Sequence, residues 1–247
     1  MSVSEFAGSG NAGVAIAIQA PDVDLRVWRW SLDRHDAEWP FLWDSLSDEE
    51  RARATRFGND ALRRRYVSGR AALRSTLGQR LGVAPGAVRI VRGARGRPAL
   101  AADGALDFNV THTRGVALIA LLDRTGCRVG IDIEGEDRTL AHDSLARKFL
   151  APSERAAIAP LDDDARRRAF LRLWTCKEAM SKATGDGLSA PFARIAIDIA
   201  RTPLVVEGSD DYAPPRWTLH TIDAGAGYFA TVAIWRRTAT TGPNSGA

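Results

Sequence analysis

The apolar positions of this chain switch repeatedly between a two-residue alternation and a helical spacing, and the switches mark out its elements. Leu25 to Trp30 (LRVWRW) alternates apolar residues with arginine and reads as a strand with one exposed face. Ser47-Asp48-Glu49-Glu50 opens a helix, with Ser47 as cap and Glu50 as the N3 acid of a capping box. That helix, or two helices broken near Gly58 and Asn59, runs to about Leu81, with Phe57, Leu62, Tyr66, Leu73 and Leu77 on its apolar side. Val88 to Val91 is a short strand, and Arg92 to Pro98 (RGARGRP) reads as a turn. Asp107 to Thr111 is a strand ending at His112-Thr113, Val116 to Leu122 is a wholly apolar one, and Asp123 to Gly126 turns the chain into Val129 to Glu134 (VGIDIE). A helix carrying Arg147, Lys148 and Phe149 follows, and Ser153 is placed to cap another beginning at Glu154. The acids Asp162 to Asp164 begin a long helix that stops around Gly185 to Gly187. Ile195 to Ile199, Trp217 to Ile222 and Gly227 to Trp235 complete the strands. Residues 1–20 are small and aperiodic, a flexible segment, and residues 236–247 form a loose tail.

The order of elements repeats. A strand, a run of helices and a closing apolar strand occur over 21–124 and again over 125–235, which predicts two α+β halves of similar build packed together. The 247 residues and the 45% hydrophobic content suit such a soluble pair, and no apolar run is long enough to span a membrane. The N-terminus has no pattern of an export signal, so the expected location is the cytoplasm. Cys127 and Cys176 make neither a metal motif nor a disulfide framework and are expected as buried thiols.

A net charge of +4 favours an anionic partner without choosing among nucleic acid, a phosphate-rich cofactor and an acidic protein. Of the 34 basic residues only Lys148, Lys177 and Lys182 are lysine, and two of these lie in Trp174 to Lys182 (WTCKEAMSK). In the VGIDIE strand the alternation turns Asp132 and Glu134 to one face, ~7 Å apart. Two such acids suit either a solvated strand face or a crevice holding Mg2+, an ion that takes carboxylates, phosphate oxygens and water. Glu178 and Lys182 suit a surface ion pair one turn apart, yet Trp174 shares the face of Glu178, which argues against open water. There a carboxylate beside a metal would ligate it or act as a general base. His112, at a strand end beside Thr111, Thr113 and Arg114, suits a structural role or a bound phosphate. Arg51, Arg53, Arg56, Arg63, Arg64, Arg65 and Arg70 crowd the first long helical stretch. Their only support for nucleic-acid binding is charge, since no zinc finger, RNA-binding signature or helix-turn-helix accompanies them.

At these residues the sequence resembles the phosphopantetheinyl transferase family, of the Sfp type. The first likeness lies in Gly96-Arg97-Pro98 followed by Phe108 to His112, the second in Val129 to Glu134, and the third in Trp174 to Ala179 with Lys182 and Gly185 to Leu188. The resemblance covers about residues 25–235 and includes the helical region from Ser47 to Arg74. It implies an α+β fold of two similar halves related by a pseudo-twofold, each a small, mainly antiparallel sheet packed on helices, in a monomer with coenzyme A between the halves. It also implies Mg2+-dependent transfer of the phosphopantetheine arm of coenzyme A to a serine of an apo acyl or peptidyl carrier protein of fatty-acid, polyketide or peptide assembly. The other product is adenosine 3',5'-bisphosphate, and neither nucleic acid nor membrane is a partner. By the same resemblance Asp132, Glu134 and Glu178 hold the metal, and Glu178 is the base. Lys177 and Lys182 lie beside the phosphates, with Lys182 at the bond that breaks. His112, Thr111, Arg97 and Arg53 contact the coenzyme. Thr111 stands where the family usually has serine and Arg97 where it usually has lysine. Arginine keeps the charge and widens the donor fork. Three readings compete: a basic nucleic-acid-binding protein, a carrier-binding pseudoenzyme, and another Mg2+-dependent phosphoryl or nucleotidyl transferase.

Overall fold

The computed structural model describes residues 13–93, 95–101, 104–137 and 142–237. Of the expected flexible segment at 1–20 and tail at 236–247, residues 1–12 and 238–247 lie outside the described residues. The remainder of the first segment is not structureless. Val14–Ile16 (β1) pairs antiparallel with Asp24–Ser31 (β2), the strand expected from the LRVWRW alternation.

Two sheets carry the fold, and their construction repeats. The first has the order β1, β2, β6, β5, with Leu106–Thr113 as β5 and Val116–Asp123 as β6. The second has the order β10, β11, β7, with Cys127–Gly135 as β7, Trp217–Thr221 as β10 and Tyr228–Arg236 as β11. All of these pairings are antiparallel. Strand β2 beside β6 and β5 thus corresponds to β7 beside β11 and β10. A long helix backs each sheet: α3 (Asp60–Leu81) and α6 (Asp163–Thr184) are both 22 residues long. Each begins at an Asx cap, Asn59 or Asp162, whose side chain accepts the third backbone N–H, and each ends at a left-handed glycine, Gly82 or Gly185. The molecule is therefore two pseudo-symmetric α/β halves, each a small antiparallel sheet on helices.

The apolar alternation sorts itself into layers. Leu73 and Leu77 of α3 pack on Phe108, Ile119 and Leu121 of the first sheet. Trp174, Met180 and Ala183 of α6 pack with Leu219 and Trp235 of the second. Between the halves, Val27, Leu118 and Leu122 meet Ile131, Ile133 and Val232. β7 is thus buried on both faces, which rules out the solvated-face reading of Asp132 and Glu134.

The remaining elements are smaller. α1 (Trp39–Asp44) and α2 (Asp48–Ala54) precede α3, and the break between α2 and α3 falls at the expected Gly58 and Asn59. The Ser47–Glu50 capping box is present, with Glu50 N 3.3 Å from Ser47 Oγ and Ser47 N 3.0 Å from Glu50 Oε2. β3 (Ile90–Arg92) and β4 (Pro98–Leu100) form a hairpin out of the expected turn. α4 (His142–Phe149) leads to α5 (Pro152–Ile158). The cap of α5 is Ala151 with Pro152 at the first turn, not Ser153, and Glu154 reaches back to Ala151 N at 2.7 Å. β8 (Ala196–Asp198) pairs with β9 (Leu204–Glu207), a strand the pattern did not announce. Cys176 is buried, its thiol pushed up to about 11 by burial, while Cys127 is only partly covered.

Candidate active site

The site forms where the two sheets meet edge to edge. One edge of β7 is laddered onto β11, with Asp132 opposite Thr231. The other edge faces β5, and side chains rather than a backbone ladder satisfy it. Asp107 Oδ2 accepts Val129 N at 2.7 Å, and Asn109 Oδ1 accepts Ile131 N at 3.0 Å. Thr111 Oγ1 then donates to Asp132 Oδ1 at 3.2 Å. Asp107, Asn109 and Thr111 alternate along β5, so one face of a strand in one half fixes the height of a strand in the other.

Gly130 governs the approach of α6. A Cβ at that position would run into the backbone oxygen of Ala179 and stand 2.6 Å from Ala183 N. Glycine therefore lets α6 lie against β7 and brings Lys182 to Asp132. Lys182 Nζ donates to Asp132 Oδ1 at 2.7 Å, Thr111 Oγ1 at 3.0 Å and Ile131 O at 3.2 Å. Trp174 Nε1, from the same helix, donates to Glu134 Oε1 at 3.2 Å. Asp132 and Glu134 are 5% and 8% exposed. Asp132 Oδ2 is buried with no hydrogen-bond partner, a costly state for a carboxylate oxygen unless a ligand completes it.

A cleft of about 490 Å³ runs over this point, lined by residues 110–114, residues 132–134 and Lys182. It brings together Thr111, His112, Asp132, Glu134 and Lys182 of the expected site. His112 is exposed by surface area, yet the surrounding walls partly desolvate it. That desolvation first, and the Lys182 charge second, hold its pKa below the ordinary 6.5.

Four expected residues do not line the cleft. Lys177 is fully buried, with its ammonium 2.6 Å from Phe192 O, 2.5 Å from Ile195 O and 2.8 Å from Glu154 Oε2. It is a core pin, not a phosphate contact. Burial lowers the Lys177 pKa and raises that of Glu154, each opposed by the partner's charge. Arg97 forks onto Asp107 at 2.8 Å through both terminal nitrogens and donates to Lys182 O at 2.9 Å and Val129 O at 2.7 Å. Its donors clamp the two halves and leave none for a phosphate. Arg53 is exposed with its guanidinium over Tyr66. Glu178 is partly buried, one turn before Lys182 on α6. Among the described residues, no three His, Cys, Asp or Glu side chains are gathered to hold a metal ion. The sequence reading missed Trp174 as the partner of Glu134, and Asp107 and Asn109 as the seam. The signal for the seam was the polar alternation in DFNVT.

The arginine-rich stretch is mostly neutralised within the protein. Arg51 pairs with Asp48, Arg63 with Asp60, Arg64 with Asp36 and Asp60, Arg65 with Asp33, and Arg70 with Glu50. That pairing removes the free cationic stripe on which nucleic-acid binding depended.

Residues 128–233 match the model of the 4'-phosphopantetheinyl transferase superfamily, and residues 29–122 match that of the 4'-phosphopantetheinyl transferase N-terminal region. The 4'-phosphopantetheinyl transferase HetI of Nostoc sp. is 38% identical over 215 residues, covering 85% of this chain and 87% of its own. The chain belongs to the 4'-phosphopantetheinyl transferase superfamily. Sfp of Bacillus subtilis, a 4'-phosphopantetheinyl transferase, is 25% identical over 181 residues, covering 73% of this transferase-family chain and 79% of its own. A solved holo-[acyl-carrier-protein] synthase of Thermotoga maritima is similar with a TM-score of 0.36 and 20% identity, over 44% of this chain and 63% of that one. The two matched segments of this family member fall one on each half. Among the described residues no helix is long and apolar enough to cross a membrane.

Proposed function

We propose that this protein transfers the phosphopantetheine arm of coenzyme A to a serine of an apo acyl or peptidyl carrier protein, with Mg2+ as cofactor and adenosine 3',5'-bisphosphate as the other product. The serine oxygen forms a bond to the pantetheine-side phosphorus, the pyrophosphate P–O bond breaks, and the hydroxyl proton leaves to a base. The observation that carries this reading is Asp132. One of its oxygens is fixed by Lys182 and Thr111, and the other is buried without a partner at the floor of an inter-half cleft.

Asp132 and Glu134 offer hard carboxylate oxygens of the kind Mg2+ takes and would be its ligands; Glu178, which is not gathered with them, is retained as the third carboxylate on the family resemblance. Bound there, the ion offsets the charge of the pyrophosphate oxygens. Lys182 would carry its ammonium from Asp132 to the phosphoryl oxygen that gains charge, and Glu178 would take the serine proton. Thr111 orients Lys182 and Asp132 together. His112, at the cleft rim, would meet a phosphate, whose charge favours the imidazolium that its present surroundings disfavour. Lys177 and Arg97 are left out because their donors are taken up inside the protein, and Arg53 because it does not line the cleft.

We further place the chain in the Sfp type, on the support of two matched halves in one chain, with its halves dividing at the turn of residues 124–126. A cytoplasmic location and, as the family resemblance implies, a monomeric state belong to the same proposal. The test is transfer by variants: Asp132→Ala and Glu178→Gln should retain the far-UV circular dichroism of the parent while losing about 10²-fold or more of the rate. Full turnover by both would remove the proposed site. Coenzyme A binding without transfer by the parent on every carrier tried would favour the pseudoenzyme.

A further inference from the structure

The turn joining β5 to β6 is made against the preference of its own backbone. Thr113 pairs with Val116, so Arg114 and Gly115 form a two-residue loop with φ of 33° and 78°. Positive φ at both positions, as in a type I' turn, favours Asn-Gly and disfavours a long side chain at the first place. Arginine stands there nonetheless, and it lines the cleft.

Its guanidinium is ion-paired to Asp137, just past the end of β7, and Nη2 lies 3.4 Å from Asp137 O. The pair joins one half to the other beside the cleft. The side chains are 55% and 65% exposed, so water competes with the pairing and it is easily exchanged. Gly135 leaves room for it: a Cβ there would stand 3.0 Å from Asp137 Oδ1 and 3.8 Å from Arg114 Cδ and Nε.

Coenzyme A brings two anionic groups, a pyrophosphate and a ribose phosphate. The Asp132–Lys182 part of the cleft suits the first with its metal. The hairpin part, with His112 and Arg114 two residues apart, is left for the second. Resting on the transferase reading above, we propose that Arg114 is a specificity-determining residue that grips the ribose 3'-phosphate of coenzyme A, exchanging Asp137 for the phosphate as the substrate enters. A phosphate offers the guanidinium fork a bidentate, doubly charged partner, which an exposed carboxylate does not match.

The experiment compares steady-state transfer from coenzyme A and from 3'-dephospho-coenzyme A by the parent, Arg114→Asn and Asp137→Asn, with melting temperatures alongside. Asparagine suits the turn, so Arg114→Asn should melt at or above the parent temperature, which excludes misfolding as the cause of any loss. Its KM ratio, dephospho-coenzyme A over coenzyme A, should fall about tenfold. Asp137→Asn should move the other way, with KM for coenzyme A falling a few-fold because the competing carboxylate is gone. An unmoved ratio in Arg114→Asn, or an Asp137→Asn that weakens both donors alike, overturns the proposal while leaving the transferase reading intact. A parent that transfers from neither donor overturns that reading and this inference with it.

Discussion

Lys177 and Lys182 lie five residues apart on α6 and meet opposite environments. Five positions turn a helix by about 500°, leaving the two side chains about 140° apart. One faces the cleft beside Asp132, and the other enters the core beside Glu154. The family resemblance implied both as phosphate contacts, and helical geometry separates them. For Lys177→Met the expected outcome is a loss of about 3–5 kcal/mol in urea unfolding, because Glu154 is left charged and buried without its cation. A loss below about 1 kcal/mol would show that the pin is dispensable. The placing of Asp132 and Glu134 on one strand face, and of Lys182 one helical turn past Glu178, was legible in the sequence, whereas Thr111 entered through the family resemblance. Glu154 was not legible, since its cation partner comes from a helix 23 residues away in sequence.

Elements with a local signal were legible, and those that depend on distant partners were not. The Ser47–Glu50 box, the acids at 162–164 and the glycine stops carry their own capping chemistry. β9 is four residues long and exists by pairing with β8, and β4 exists by pairing with β3. Neither has an internal rhythm to read. The cap of α5 went to Ala151 rather than Ser153 because Pro152 pre-sets the first turn.

Glu50 shows what a cap can anchor. Besides closing α2 it pairs with Arg70 and with Arg74 at 2.5 Å, tying α2 to α3. Burial is the largest single influence and opposes its charge. Arg70, the Ser47 N–H and Arg74 together outweigh it and hold the carboxyl below the ordinary 4.5. A depressed folded pKa contributes stability that is complete above the unfolded value and is lost as pH falls through the folded one. The melting-temperature gap between the parent and Glu50→Gln should therefore be widest near neutral pH and close as pH drops below about 4.5. A gap that stays constant with pH would assign the effect to packing alone.

At the scale of the whole molecule, the repeat of element order did foretell two similar halves, but not how they are joined. The seam is made by side chains of β5 on the bare edge of β7 and by Arg97, which bonds to Asp107 in one half and to Val129 O and Lys182 O in the other. Pairings between residues 22 to 85 apart leave no periodic trace in the sequence. Lysine at 97 keeps the charge but has neither the planar fork nor enough donors, so Arg97→Lys should lose about 2–4 kcal/mol of stability in denaturant. An unchanged midpoint would mean that the clamp adds nothing to the joining of the halves. The halves meet in order to place Asp132, Glu134 and Lys182 under one cleft, and the claim that this cleft transfers phosphopantetheine is tested by intact mass. Apo carrier proteins incubated with coenzyme A, Mg2+ and the purified protein should gain the mass of one phosphopantetheine on the serine, and a chelator should abolish the gain. No gain on any carrier by a sample that also fails to bind coenzyme A would contradict the proposed function.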